Sequence, residues 1–220
     1  MKKLEKVLEN WPSMVVRDAD LKFLLRGSDD ARYSTVKRAL KSRELVRLRR
    51  GLYLISSKTK QMLPDEFELA LFLYGPSMVS FESALSYHNV IPEAVYVTTC
   101  ATPKRAREFE TPIGTFSYDH VPPLHFYLGV RRVETASGSF FIAEAWRALA
   151  DLMYTRHKTW TSFGALDGDL RADVEVLCKN KKLLSVLSVQ YPSARVRKAL
   201  KSLLVEASDK PGVCYEYKNY

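Results

Sequence analysis

At 220 residues and 46% apolar side chains, the chain can build one large domain, or a small domain joined to a medium one, around a real core. No apolar run approaches the roughly 18 residues of a membrane span. The charged start MKKLEKVLENWPS lacks the apolar stretch of a signal peptide, so the expected location is the cytoplasm. The three cysteines, Cys100, Cys178 and Cys214, are far apart, which argues against a disulfide framework or a zinc site. The net charge of +9 is unevenly spread: residues 1–60 hold sixteen Lys and Arg against seven Asp and Glu, and residues 61–220 hold eighteen of each. A basic module joined to a neutral one predicts that the first module meets a polyanion.

In chain order, Leu4, Val7 and Leu8 have the spacing of an amphipathic helix over 2–10. Pro12 ends it. A second helix runs through ADLKFLLRG, with Asp18 as its cap and Gly27 as its stop. SDDARYSTVKRALKS is a third, capped by Ser28 or Asp29. ELVRLRRGLYLIS then alternates about Gly51 as a hairpin does. Three short helices followed by a hairpin is the order of a winged helix-turn-helix. On the third helix, 100° per residue places Tyr33, Val36 and Leu40 toward the core and Ser34, Thr35, Arg38 and Lys41 on the opposite side. That second face carries no acid. Its hydroxyls suit phosphates or base edges, and arginine suits guanine. Arg32 and Lys37 on the same helix, and Arg47, Arg49 and Arg50 at the hairpin tip, complete a candidate DNA-binding set, the wing arginines pairing with phosphates.

SSKTKQ (56–61) reads as a linker, giving domains at 1–58 and 62–220. Beyond it, helices are expected over PDEFELALFLYGP and over SFESALSYHNV, capped by Ser80. AVYVTTC reads as a strand, REFETPIGTFSYDHV as strand, turn and strand, and LHFYLGVRRVETASGSFFIA as a hairpin turning near Ser137-Gly138. EAWRALADLMY, GDLRADVEVLCKN and YPSARVRKALKSLLVEAS read as helices. The expected fold class is α+β: an N-terminal winged helix-turn-helix, then helices around a small, mostly antiparallel sheet.

No phosphate-loop, dinucleotide, nucleophile-elbow or zinc-protease motif occurs. His88, His120, His125 and His157 have no metal-ligand spacing. Glu82, Asp119 and Asp151 are isolated carboxylates that the fold could bring together. The expectation is no catalytic residue, no metal and no cofactor.

RLRRGLYL, GPS-x-x-SFESAL-x-YH, IPE-x-V-x-V-T-T, TPIGTF-x-Y and FFIA occur in that order. Over residues 17–155 the chain thereby resembles the AbiEi antitoxin family of type IV toxin–antitoxin systems, linked to abortive phage infection. Where that family often carries Glu-Lys, this chain has Trp146-Arg147. The resemblance implies an N-terminal winged helix that binds inverted repeats in its own promoter and represses the operon. It also implies a C-terminal domain that opposes a neighbouring nucleotidyltransferase toxin without a stable complex. Two alternatives stand beside it: a stand-alone regulator whose second domain dimerises or senses a ligand, and a nuclease targeted by the winged helix.

Overall fold

The computed structural model describes residues 3–56 and 65–209. Over those residues the chain is α+β, with ten helices and two open sheets. The first part runs α1 (Lys3–Glu9), β1 (Val15–Arg17), α2 (Asp18–Leu24), α3 (Asp29–Lys41), β2 (Leu45–Arg49) and β3 (Leu52–Ile55). In α1 the expected apolar stripe buries Leu4 and Leu8. The cap of α2 is Arg17, whose N–H donates to Asp20 Oδ2 at 2.9 Å. Asp18, expected to cap, is instead the first helical residue, and its N–H donates to Gly51 O at 3.0 Å. Ser28 caps α3 as expected, accepting from the Ala31 N–H at 3.3 Å.

β1 was not foreseen from the sequence. It pairs antiparallel with β3, giving the order β1-β3-β2. The run LYLI explains why β3 takes the centre, because all four of its residues are buried and need cover on both faces. Tyr53 and Ile55 face the helices and pack with Leu4, Leu8, Val16, Leu21, Val36 and Ala39. Leu52 and Leu54 face the other way. With Met14, Val15 and Leu48 they belong to the same core cluster as Leu69, Phe116 and Tyr118 of the second part. The first sheet is therefore shared between two cores.

The second part comprises α4 (Glu66–Leu73), β4 (Met78–Val79), α5 (Phe81–Tyr87), β5 (Val97–Thr102), β6 (Arg107–Thr111), β7 (Gly114–His120), β8 (Val130–Glu134), β9 (Ser139–Ala143), α6 (Ala145–Thr155), α7 (Phe163–Leu170), α8 (Val174–Cys178), α9 (Lys181–Gln190) and α10 (Ala194–Asp209). Its sheet has the order β6-β7-β5-β4-β9-β8. Three of the five ladders are antiparallel, while β5–β7 and β4–β9 are parallel. The chain leaves β5, forms β6 at the edge and folds back to insert β7 beside β5, which makes that pair parallel.

The single helix expected over GDLRADVEVLCKN is two. α7 ends at Arg171, which sits in the left-handed region at φ 48°, and Asp173 starts α8 by accepting from the Val176 N–H. Asp at that position competes with a continuous helix for backbone donors. Helix α6, expected to be amphipathic, is buried from Trp146 to Met153. Asp151 on it is fully enclosed. It accepts from Arg147 Nε at 2.9 Å, Ser80 Oγ at 2.9 Å and the Tyr191 hydroxyl at 2.9 Å. The expected domain boundary, between residues 58 and 62, lies outside the described residues. Among those residues no helix is long and apolar enough to cross a membrane.

Candidate nucleic-acid interface

A cleft of about 570 Å3 opens between α3 and the β2–β3 turn. Arg32, Tyr33 and Lys37 line one wall, Arg47, Arg50 and Gly51 the other, with Asp18, Asp29 and Tyr53 among the remaining lining residues. The turn that carries Arg50 needs Gly51, whose φ is +75°. A Cβ there would also approach Asp18 Oδ2 to 3.2 Å. The Tyr53 hydroxyl is hydrogen-bonded to Asp18. Burial and that carboxylate raise the phenol above its usual pKa, and Arg47, stacked 6.0 Å from the ring centre, pulls it down. The Asp18 carboxylate in the cleft is thus engaged by a neutral phenol, while the Asp18 backbone N–H ties the helix start to the turn.

The sequence-derived residues divide into three groups. Arg32, Lys37, Arg47 and Arg50 line the cleft. Arg32 is half-buried and ion-paired to Asp29 at 2.9 Å, which neutralises part of its charge. Ser34, Arg38 and Lys41 lie on the exposed side of α3. Arg38 is steered along its own helix, with Nε donating to Ser34 O at 3.2 Å and Nη2 to Thr35 Oγ1 at 3.4 Å. Thr35, expected on that open face, is half-buried, and its hydroxyl donates to Ala31 O at 2.8 Å. Arg49 stands apart. The β2–β3 register shifts between Arg47 and Arg49, so Arg47 pairs with Tyr53 and Arg49 with Leu52. That irregularity takes Arg47 to the cleft side of the sheet and Arg49 to the side of Tyr118, on whose phenol its charge acts.

Tyr33 corrects an expectation. Assigned to the core on the helical wheel, it is 68% exposed and lines the cleft. The buried side of α3 is narrow, formed by Val36 and Ala39, so a residue one turn before the basic Lys37 falls on the cleft side. The i, i+4 relation of Tyr33 to Lys37 was the signal in the sequence that could have placed it.

The isolated carboxylates do not converge. Asp151 is saturated in the core. Glu82 faces Arg156 at 3.7 Å. Asp119 lines a small cleft with His120, His157 and Arg195. Among the described residues no group of three or more His, Cys, Asp or Glu side chains is placed to hold a metal ion. Trp146 and Arg147 are core residues: the indole donates to Leu177 O at 2.8 Å, and Arg147 Nη1 donates to the carbonyls of Leu128 at 2.7 Å and His125 at 3.2 Å. Cys100 is a free, buried thiol. No protein-family model matches the chain, and no curated protein matches it.

Proposed function

We propose that the chain is an antitoxin and transcriptional autorepressor. In this reading residues 1–58 are a winged helix-turn-helix, with α3 as recognition helix and the β2–β3 hairpin as wing, and they bind inverted repeats in promoter duplex DNA. Residues 62–220 counteract a nucleotidyltransferase toxin. The observation that carries the DNA half is the cleft between α3 and the β2–β3 turn, open to solvent and rimmed by Lys37, Arg47 and Arg50. The element order supports it too: helix, strand, two helices, then two strands, with the early strand paired to the last one. A phosphate backbone seated against such a rim releases counterions and gives steeply salt-dependent binding. The antitoxin half rests on the resemblance carried by the motifs of residues 75–143.

The test is a paired assay: a promoter–reporter readout and survival under toxin induction. Arg38→Ala combined with Lys41→Ala is expected to abolish repression and leave rescue intact. Rescue that disappears together with repression would overturn this division of labour.

One feature favours the ligand-sensing regulator as a second reading. A pocket of about 670 Å3 is lined by apolar Ile91, Val95, Val97 and Leu170, and by Glu82 and Arg156. That size and mix suit a small molecule. A metabolite that releases the chain from promoter DNA, with no rescue from any neighbouring toxin, would favour the regulator.

A further inference from the structure

Strand β6 reads Arg107-Glu108-Phe109-Glu110-Thr111, and strand alternation sorts these residues by charge. Arg107 and Phe109 share a face with their cross-strand partners Tyr118 and Phe116. Glu108 and Glu110 point to the other face. The zero net charge of residues 61–220 therefore conceals one basic face. On it the Arg107 guanidinium lies 5.6 Å from the Tyr74 ring centre and 5.7 Å from that of Phe109. Lys104 Nζ lies 5.3 Å from the Tyr74 ring centre and donates to Gly75 O at 2.6 Å. The Tyr74 hydroxyl donates to Arg105 O at 3.2 Å. All three cations are exposed. None of them takes part in an ion pair among the described residues. Stacking on rings holds the heads of Lys104 and Arg107 in place, so less rotamer freedom is lost when an anion binds.

This face adjoins the hairpin. β2 packs beside β6. Arg49 donates to Arg50 O at 3.4 Å, and its charge acts on Tyr118, the cross-strand partner of Arg107. A chain of neighbours thus leads from Arg50 on the cleft rim, through Arg49, to Arg107, Lys104 and Arg105. The core shared by Leu48, Leu52 and Leu54 with the second part fixes these groups relative to one another.

We propose that Arg49, Lys104, Arg105 and Arg107 form a second phosphate-binding patch for the same DNA duplex that the α3 cleft takes. The inference rests on the DNA-binding reading above. Duplex is favoured over single-stranded nucleic acid because Tyr74 and Phe109, the rings on which bases would stack, are already covered by cations. The patch also explains why Arg49 is turned away from the cleft without leaving the interface.

The test uses the full chain and a 30-base-pair duplex of random sequence, followed by fluorescence anisotropy from about 50 to 200 mM salt. Three proteins are compared with the wild type: Lys104→Gln with Arg105→Gln, the single reversal Arg105→Glu, and Arg47→Gln with Arg50→Gln as the cleft control. The Arg105 side chain is exposed and in no ion pair among the described residues, so Arg105→Glu is expected to melt like the wild type. The expected result is a salt slope shallower by about 0.9 per lost phosphate contact in both patch variants and in the cleft control. A cleft control that lowers the slope, beside patch variants that leave it unchanged, overturns the patch and leaves the DNA reading standing. A wild type with no salt-dependent duplex binding overturns both.

Discussion

Arg38 and Arg50 are both exposed cations, yet under the proposed DNA-binding reading their surroundings give them different work. Arg38 projects from the open side of α3 and is tied only to its own turn. Truncation to alanine is expected to weaken binding to the promoter duplex by about 1–3 kcal/mol more than binding to random duplex. Arg50 sits in the turn beside the cleft, where a backbone phosphate would lie. Its truncation should weaken both duplexes equally, since phosphate contacts carry no direct sequence information. Competition binding with the two duplexes checks both, and equal loss of discrimination in the two variants would show α3 to be misassigned. Asp151 makes a different kind of claim. It is the acceptor for three buried donors, and removing it strands the Arg147 guanidinium in the core. Asp151→Ala is expected to cost about 3–5 kcal/mol in urea denaturation. A loss below about 1 kcal/mol would mean that water or rearrangement satisfies Arg147.

Among the elements, the junction of α5 and β9 should respond to pH. His88 ends α5, and its Nε2 lies 2.9 Å from Ala143 O of β9. Burial lowers its pKa below the usual 6.5. Glu144 and the Ala143 carbonyl act in the opposite direction, and Arg131 adds to the lowering. A His with a depressed folded pKa is protonated first in the unfolded chain. Its contribution is therefore fully present above 6.5 and is lost as pH falls from 6.5 through the folded value. The urea midpoint should fall across that window, and His88→Gln should flatten this part of the profile. An unchanged profile in His88→Gln would assign the effect elsewhere. The β2–β3 hairpin depends on its turn in a similar way. Gly51→Ala places a Cβ at positive φ beside Asp18. It should lower thermal stability by about 1 kcal/mol or more and weaken DNA binding with it.

At the scale of the whole molecule, the two parts share apolar surface. Cutting the chain after residue 56 would expose Met14, Val15, Leu48, Leu52 and Leu54, which are buried in the larger core. Exposing each large side chain costs about 1.5–3 kcal/mol, and the sum is comparable to the 5–15 kcal/mol that holds a typical domain together. The fragment is therefore expected to melt at lower temperature and less cooperatively than the full chain, and to bind duplex DNA more weakly. Circular dichroism melting of fragment and full chain decides this; equal midpoints would mean that the shared face contributes nothing to the first part.

The sequence by itself determined the helices α1 to α3, the hairpin at Gly51 and the segregation of net charge to residues 1–60, because caps, periodicity and turn residues act over a few positions. It also placed Arg38 and Lys41 on an open helix face and Arg47 and Arg50 at a hairpin tip. It did not reveal β1 or β4, which are too short to show a period and exist only because β3 lies beside the one and β5 and β9 flank the other. Nor did it show that Tyr33 lines the cleft, since the width of an apolar helix face depends on what packs against it. Where each charge points was decided by the tertiary structure. A register shift of one residue parts Arg47 from Arg49, and the pairing of β6 with β7 gathers Arg107 onto one face and Glu108 and Glu110 onto the other. Composition counts charges without direction, and only strand pairing gives each one a side.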